Sequence, residues 1–312
     1  MASVSVSTLT KYTDQLSSAI TRESVLAGRT ISMISIQTGV KYKDALNIIN
    51  STLTAQAGGC GAFSASGAVN LIQRDIQVCP FKVEESLCLD EFEQYWIGQL
   101  MRDGSYNETA PEAFNTVYVA DKMAKIQQLI DKYFWAGSTD NNYSNGLTLC
   151  DGIMDLLEYT SATNSVVTTT YSGALSAATA IDAIDAMVAV IPTDVISDES
   201  LTLFMGYADF RTYAKALRTA FPGFDFLAQD KTGSDFTLIH PGTNVKVVAT
   251  VGMNGLNKRV LTPAWNLVFG TDLERDPEGF KVWFDLEDQL VKFRAKWKAG
   301  AQVYYPAYIV KQ

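Results

Sequence analysis

The amino-acid sequence predicts an α+β protein, and three observations support this fold class. Apolar residues three or four apart mark a long helix over residues 109–137 and a second helix over residues 174–191. Strand-like alternation fills most of the chain after Trp265. Because the order is helix, strands, long helix, mixed block and closing strands, without an internal repeat, it indicates an α+β arrangement.

Length and composition limit the classes of protein to consider. The 312 residues suffice for two packed subdomains or one large elaborated domain, and 47% hydrophobic against 19% charged residues indicates an ordered protein with buried subunit contacts. The net charge of -9 argues against a dedicated nucleic-acid binder, since the sequence shows no basic block to neutralise phosphates. No stretch reaches the ~18 apolar residues of a membrane span, and no charged leader precedes an apolar core. We therefore expect a protein made and kept in a cytoplasm, without membrane contact.

The first third of the chain alternates between helical and extended patterns. Residues 8–26 predict an amphipathic helix from the spacing of Leu9, Tyr12, Leu16 and Ile20. Residues 30–40 predict a strand, and the Gly-rich segment 55–67 precedes another extended run over residues 76–83. We interpret this region as two long strands joined by a mobile excursion. The glycines of that excursion lack the following Lys-Ser/Thr and the spacing of a phosphate-binding loop: Gly58, Gly59 and Gly61.

The strongest local signal is the long helix. Thr109 and Glu112 have capping-box spacing around Pro111, and Gly137 is a C-terminal stop signal. The helix should span about 40 Å at 1.5 Å per residue. Its apolar residues form one stripe: Val119, Met123, Ile126, Ile130 and Tyr133. Packing in a protein core explains such a stripe, and no ligand is needed.

The remaining chain predicts shorter elements. The helix over residues 174–191 ends at Pro192 and has one apolar face: Ile181, Ile184, Val188 and Ile191. A buried strand over 201–205 and a helix over 208–220 follow, and the extended residues 236–251 are split at His240, Pro241 and Gly242. Turn signals from Asp276 to Gly279 predict an antiparallel hairpin between the two alternating runs that flank them.

Residues for catalysis, cofactor binding or metal binding are scarce. His240 is the one histidine, so catalytic triads and His-based metal sites have almost no material, and a turn histidine is the favoured interpretation. The four cysteines form no C-x-x-C pair and are expected to stay reduced: Cys60, Cys79, Cys88 and Cys150. We predict no catalytic, cofactor-binding or metal-binding residue.

Two weaker patterns have ordinary explanations. One acidic cluster could bind a hard cation: Asp182, Asp185, Asp194, Asp198 and Glu199. It lacks the ligand spacing of a calcium loop. We interpret these residues as part of a solvent-exposed helix face and the loop after it. The strand-glycine-helix run LTLFMGYADFR, around Gly206, lacks the glycine fingerprint of a nucleotide-binding unit. With 34 acidic residues some carboxylate pair is always possible in space, but nothing in the sequence selects one.

Three C-terminal stretches are informative together: PGTNVKVVATVGMNGL (residues 241–256), LTPAWNLVFGTDLERD (261–276) and FRAKWKAGAQVYYP (293–306). They resemble the closing region of tailed-bacteriophage major capsid proteins with the Hong Kong 97 phage-type fold. The extended segment RDIQVCPFKVEESLCLDEFEQYW (74–96), followed by the long helix, is similar to this family in order and type. The pattern is also similar to crAss-like and related Bacteroidetes phages.

The resemblance implies a division of the chain into the parts of that fold. The long helix would be the spine of the peripheral domain. The implied parts are an N-terminal arm (1–27), an extended loop with flanking strands (28–88), the peripheral domain with its spine helix (89–146), the axial domain (147–263) and the closing strands of the peripheral domain (264–312).

The function that the resemblance implies is structural, without enzymatic activity. The protein would assemble with itself as hexamers and pentamers, in the host cytoplasm, into the icosahedral capsid of a tailed-phage virion. Implied partners are the portal, scaffold, decoration or head-auxiliary proteins, and packaged double-stranded DNA through weak non-specific contact. An encapsulin-like nanocompartment shell is the alternative, followed by a hydrolase that uses scattered carboxylates.

The C-terminal tyrosines leave two interpretations open. They could form a contact between subunits or pack in the subunit's own sheet, and with a neighbouring isoleucine they are Tyr304, Tyr305, Tyr308 and Ile309.

Overall fold

The computed structural model describes residues 30–56, 58, 65–88, 110–143, 148–158, 166–169, 171, 173–221, 237–272, 280–285, 287 and 290–312. The helices are α1 (Ala110–Ala136), α2 (Ile153–Glu158), α3 (Ala180–Ala189) and α4 (Tyr207–Ala220). The strands are β1 (Ser35–Gln37), β2 (Lys43–Leu53), β3 (Gly67–Gln77), β4 (Cys79–Cys88), β5 (Val167–Thr168), β6 (Leu201–Gly206), β7 (Thr237–Ile239), β8 (Lys246–Thr250), β9 (Arg259–Pro263), β10 (Leu267–Gly270), β11 (Phe280–Asp285), β12 (Leu290–Val303) and β13 (Val310–Lys311). The α+β prediction is confirmed.

The five-stranded sheet is organised around its longest strand, β12. This strand is antiparallel to β10 at its C-terminal end and to β11 and β4 over the rest of its length, and β1 adds to β10 in parallel. One face of β12 is buried through Phe293, Ala295 and Ala299. Because side chains alternate between the two faces of a strand, Lys292, Arg294, Lys296 and Lys298 point away from this core.

Helix α1 packs in the core that contains the buried face of β12. Four residues of the predicted stripe are buried, which confirms that part of it: Met123, Ile126, Ile130 and Tyr133. The side chain of Val119 lies outside the described residues. The ring of Phe81, from β4, lies 4.6 Å from the ring of Tyr133 and 5.8 Å from that of Trp297. Aromatic packing therefore joins α1, β4 and β12.

The predicted end of α1 is confirmed, since the helix stops at Ala136, directly before Gly137. A Cβ at Gly137 would lie only 2.6 Å from the carbonyl oxygen of Cys150 and 2.8 Å from that of Tyr133. Glycine is needed because no larger residue fits at this close approach. The capping box lies outside the description, because Thr109 and the side chain of Glu112 are not among the described groups.

The six-stranded sheet has the order β5-β13-β9-β6-β8-β7 and packs with α3 and α4. Strand β6 is buried at every residue and pairs in parallel with β8 and antiparallel with β9. The predicted strand over 201–205, the helix over 208–220 and the split of the extended run at His240 are confirmed. Helix α3 is shorter than predicted, because residues 174–179 form bends and turns.

Several predictions about the strands are corrected. The expected strand over residues 30–40 is reduced to β1, and the long strand β2 was missed. The helix predicted over residues 8–26 and the turn predicted at 276–279 lie outside the described residues. The strands on either side of that turn, β10 and β11, do not pair with each other as a hairpin. Both pair with β12 instead. Residues 264–312 also divide between the sheets, since β13 pairs with β9 in the six-stranded sheet.

A buried polar network joins α1 to two distant parts of the chain. Asp131 is 4% exposed, and its carboxylate accepts hydrogen bonds from the Thr30 hydroxyl and, at 2.8 Å, from the backbone N–H of Gly252. Trp135 donates its indole N–H to the Thr30 hydroxyl oxygen at 3.2 Å. Since buried polar groups need partners, this network specifies how the three segments meet.

The expectation that all cysteines stay reduced is wrong for one pair. Cys79 and Cys150 form a disulfide, with Cα atoms 6.3 Å apart across 71 residues of sequence. That Cα distance lies within the usual range of disulfides. The sequence alone could not reveal the pairing, because only the fold brings the start of β4 beside the turn before α2. Cys60 and the side chain of Cys88 lie outside the described residues.

Candidate assembly interface

The β2–β3 hairpin is a two-stranded sheet whose base packs against the five-stranded sheet. Leu46 and Ile76 are buried there in a small cluster with Val40, Val78 and Val268. The paired Gly270 and Gly300 make room for this base: a Cβ at Gly300 would lie 2.3 Å from the carbonyl oxygen of Gln77. The glycines thus let the hairpin pack closely against the five-stranded sheet.

Beyond its base the hairpin exposes an apolar face. Ile49 pairs directly with Leu71, and Val69 lies two residues further along β3, so these side chains share one face with Leu53. Their exposed fractions are 64% for Ile49, 76% for Leu71, 70% for Val69 and 92% for Leu53. A two-stranded hairpin is only marginally stable by itself, and an apolar face of this kind is a typical protein–protein contact. We call these four residues the hairpin face.

The residues of the hairpin face were missed at the sequence level, although the region was assigned to an extended loop. Their signal is weak: Val69 and Leu71 flank the polar Asn70, but LNIINSTL does not alternate regularly.

The C-terminal tyrosines pack within the subunit. The rings of Tyr305 and Tyr308 lie 5.0 Å apart, and both contact the ring of Trp265 edge-on. The Tyr305 hydroxyl donates to the carbonyl oxygen of Ile49 at 3.3 Å, and Ile309 is fully buried. Of the two interpretations left open by the sequence, these contacts favour packing in the subunit's own sheet, although Tyr305 and Tyr308 are only half-buried.

His240 lies in a turn, as predicted, but it is buried in a hydrogen-bond network. Its Nδ1 lies 2.5 Å from the hydroxyl of Tyr213 on α4, and its Nε2 lies 2.8 Å from a carboxylate oxygen of Asp185 on α3. Burial lowers the pKa of His240, and the nearby charge and hydrogen bond of Asp185 oppose that shift. The network connects two helices to the turn, which is a structural role that needs no substrate.

The acidic cluster divides into separate contacts. Asp198 accepts hydrogen bonds from the Ser200 hydroxyl and from the indole N–H of Trp265, both at 2.7 Å, whereas Asp185 bonds His240. Within the described ranges, no group of three or more His, Cys, Asp or Glu residues could hold a metal ion.

The N-terminus of α4, which resembles a phosphate site in sequence, is closed. A Cβ at Gly206 would lie 2.7 Å from the carbonyl oxygen of Met253, so the glycine allows a close approach of two backbone segments. The carboxylate of Asp209, in the first turn, pairs with the buried guanidinium of Arg259 at 2.7 Å. The helix end is therefore already occupied by a carboxylate from its own first turn.

The fold is similar to that of solved capsids. The capsid of the empty GTA particle matches at a TM-score of 0.55 and 14% identity, covering 92% of this chain and 88% of its own. The satellite phage P4 procapsid matches at a TM-score of 0.54 and 10% identity, covering 98% of both chains. The chain has the Hong Kong 97 phage-type capsid fold. A structure of Mycobacterium phage Ogopogo has this capsid fold as well, at a TM-score of 0.54 and 13% identity, covering 91% of this chain and 90% of its own.

No protein-family model matches the chain, and no curated protein matches its sequence. At identities of 10% to 14%, the similarity to these structures lies in the fold. Among the described helices, none is long and apolar enough to cross a membrane.

Proposed function

We propose that this chain is the major capsid protein of a tailed phage. In this proposal it assembles with itself, as hexamers and pentamers, into the icosahedral head that encloses double-stranded DNA. The observation that supports the proposal best is the hairpin face, because four large apolar side chains extend from a subunit whose fold is that of capsids. A neighbouring copy would cover this face and remove its apolar surface from water.

The proposed division of the chain follows the capsid fold. Residues 1–27 would form the arm and 28–88 the extended loop, with residues 89–146 and 264–312 in the peripheral domain and 147–263 in the axial domain. Strand β13, which pairs in the six-stranded sheet, would be the exception and belong to the axial domain. Portal, scaffold or decoration proteins are proposed partners, and the proposed location is the virion capsid, after assembly in the host cytoplasm.

An encapsulin-like compartment is less well supported than a phage head. Four matched structures with TM-scores of 0.54 to 0.55 are of a phage, a phage procapsid and GTA capsids. Nothing favours the carboxylate-dependent hydrolase at the acidic cluster, where Asp185 and Asp198 bond to separate partners.

Electron microscopy of the purified protein tests the proposal. We expect capsomer rings, tubes or closed shells from the unmodified chain. Leu71→Asp places a charge on the hairpin face, where a neighbouring copy would bury it unpaired, and should leave only small oligomers. Asn70→Asp is the matched control. Asn70 is adjacent to Leu71 in β3, so its side chain points to the opposite side of the hairpin, and the substitution adds the same charge there.

The two variants separate the possible outcomes. Assembly by Asn70→Asp but not by Leu71→Asp, with equal melting temperatures, would identify the hairpin face as the contact between copies. Complete shells from Leu71→Asp would contradict the assignment of this face, and a chain that stays monomeric at high concentration would contradict the capsid proposal.

A further inference from the structure

The outward side of the five-stranded sheet carries a row of positive charges. Strand β12 alternates cations with buried or half-buried residues in LVKFRAKWK, so its outward side chains are Lys292, Arg294, Lys296 and Lys298. The pairing register adds Lys281 opposite Arg294 and Lys82 opposite Lys296. We call these six residues the basic face.

The basic face differs in charge from the rest of the chain. Three carboxylates lie on it or at its rim: Asp285 pairs with Lys292 and Asp272 with Lys298, both at 2.5 Å, and Glu84 pairs with Lys82 at 2.8 Å. Six cations and three carboxylates leave the face positive, whereas the whole chain has a net charge of -9. A positive surface on an acidic protein attracts a polyanion to one place and repels it elsewhere.

Three cations of the face form no ion pair with any described residue: Lys281, Arg294 and Lys296. Two of them, Arg294 and Lys296, act on Glu84, whose pKa is lowered first by its hydrogen bond to Lys82 and then by the charges of Lys82, Arg294 and Lys296. These side chains therefore share one electrostatic surface and retain capacity for an external anion.

The spacing of the row suits a regular chain of phosphates. Residues two apart on a strand lie about 6.6 to 6.8 Å from one another, so the row from Lys292 to Lys298 extends about 20 Å. Duplex DNA carries one negative charge per ~1.7 Å of its axis, so a DNA segment along this row presents a phosphate near every cation. Lysine is a flexible point charge, which favours contact without sequence reading.

The chemistry of the face favours nucleic acid over a protein partner. A protein contact needs apolar or aromatic anchors, but Trp283 is covered by the guanidinium of Arg294, 5.3 Å from the ring centre. Among the described residues, the exposed large apolar side chains all lie elsewhere. The sequence hides this surface because apolar residues separate the cations.

We propose that the basic face of β4, β11 and β12 contacts the phosphate backbone of packaged double-stranded DNA without sequence preference. This inference rests on the proposed capsid function. It specifies which side of the subunit faces the genome, since β12 buries its other side against the core that contains α1.

A DNA-binding experiment tests the inference. Fluorescence anisotropy measures the affinity of the full-length protein for a short random-sequence DNA duplex at a series of salt concentrations. The double variant Lys281→Gln and Lys296→Gln should lower the slope of log affinity against log salt by about two units, and affinity at low salt by about ten- to a hundredfold. The matched control is Lys215→Gln with Lys246→Gln, which removes two exposed cations from α4 and β8 and should leave both quantities unchanged.

Three results would overturn the inference. They are an equal loss of affinity in both double variants, no binding of the duplex by the unmodified protein at low salt, and preferential binding of polyglutamate, which would indicate an acidic protein partner instead. Electron microscopy of the same samples separates this inference from the capsid proposal. If shells form, but unassembled subunits bind DNA equally well with and without Lys281 and Lys296, only the basic face is refuted. A failure of the unmodified chain to form shells refutes the capsid function.

Discussion

Replacing Asp131 with alanine should destabilise the subunit more than its small loss of volume implies. The change removes the acceptor for the Thr30 hydroxyl and for the backbone N–H of Gly252, both of which stay buried. A buried donor without a partner costs about 1 to 3 kcal/mol, so the two together predict a loss of about 2 to 6 kcal/mol in the free energy of unfolding. The backbone at Gly252 cannot move freely into the space left by the Asp131 side chain, because it is already close-packed against α1. A Cβ at Gly252 would overlap the carbonyl oxygen of Asp131.

Urea unfolding of the unassembled subunit, followed by tryptophan fluorescence, measures this loss. Asp194→Ala is the control, because that carboxylate is exposed and its removal should change stability by less than about 0.5 kcal/mol. Thr30→Val adds a second arm. If Thr30 and Asp131 act as one network, the two substitutions should cost less together than the sum of their separate effects. A loss below about 1 kcal/mol for Asp131→Ala would refute the reasoning.

Two further predictions concern the disulfide and the histidine. Reduction of the Cys79–Cys150 bond, or Cys150→Ser, should lower stability by about 2 to 4 kcal/mol because the bond closes a long loop; melting curves that are equal with and without reductant would contradict this. Burial lowers the pKa of His240 in the folded state, so the unfolded chain binds more protons below the ordinary value near pH 6.5, and stability should fall as the pH drops below that value. His240→Gln should flatten that part of a plot of melting temperature against pH, and an unchanged slope would show that another group controls it.

The sequence predicted those elements whose periodicity matches their burial. The stripe containing Ile126 and Ile130 reads as a helix because one side faces the core, and β6 reads as a strand because every residue is apolar or small. The hairpin face was harder to recognise, since Ile49 and Leu71 are apolar without being buried in the subunit. Under the proposed capsid function, these apolar side chains serve a contact that the single chain does not make.

Features that depend on distant residues could not be predicted. The carboxylate of Asp131 looks like any polar residue of a helix until Thr30 and Gly252 approach it from either end of the chain. The basic face is hidden for a related reason: Lys296 and Lys281 become neighbours only when β11 pairs with β12.

The strand order of the five-stranded sheet affects when a subunit can become competent to assemble. Strand β1 pairs with β10, and β4 pairs with β12, so residues near position 36 and position 83 wait for partners made some two hundred residues later. Pairings of this range are slow to form, and a chain still on the ribosome lacks β12 until the end of synthesis. The base of the β2–β3 hairpin therefore packs against a finished sheet only after translation. Under the proposed capsid function, this order would keep nascent chains from joining a growing shell.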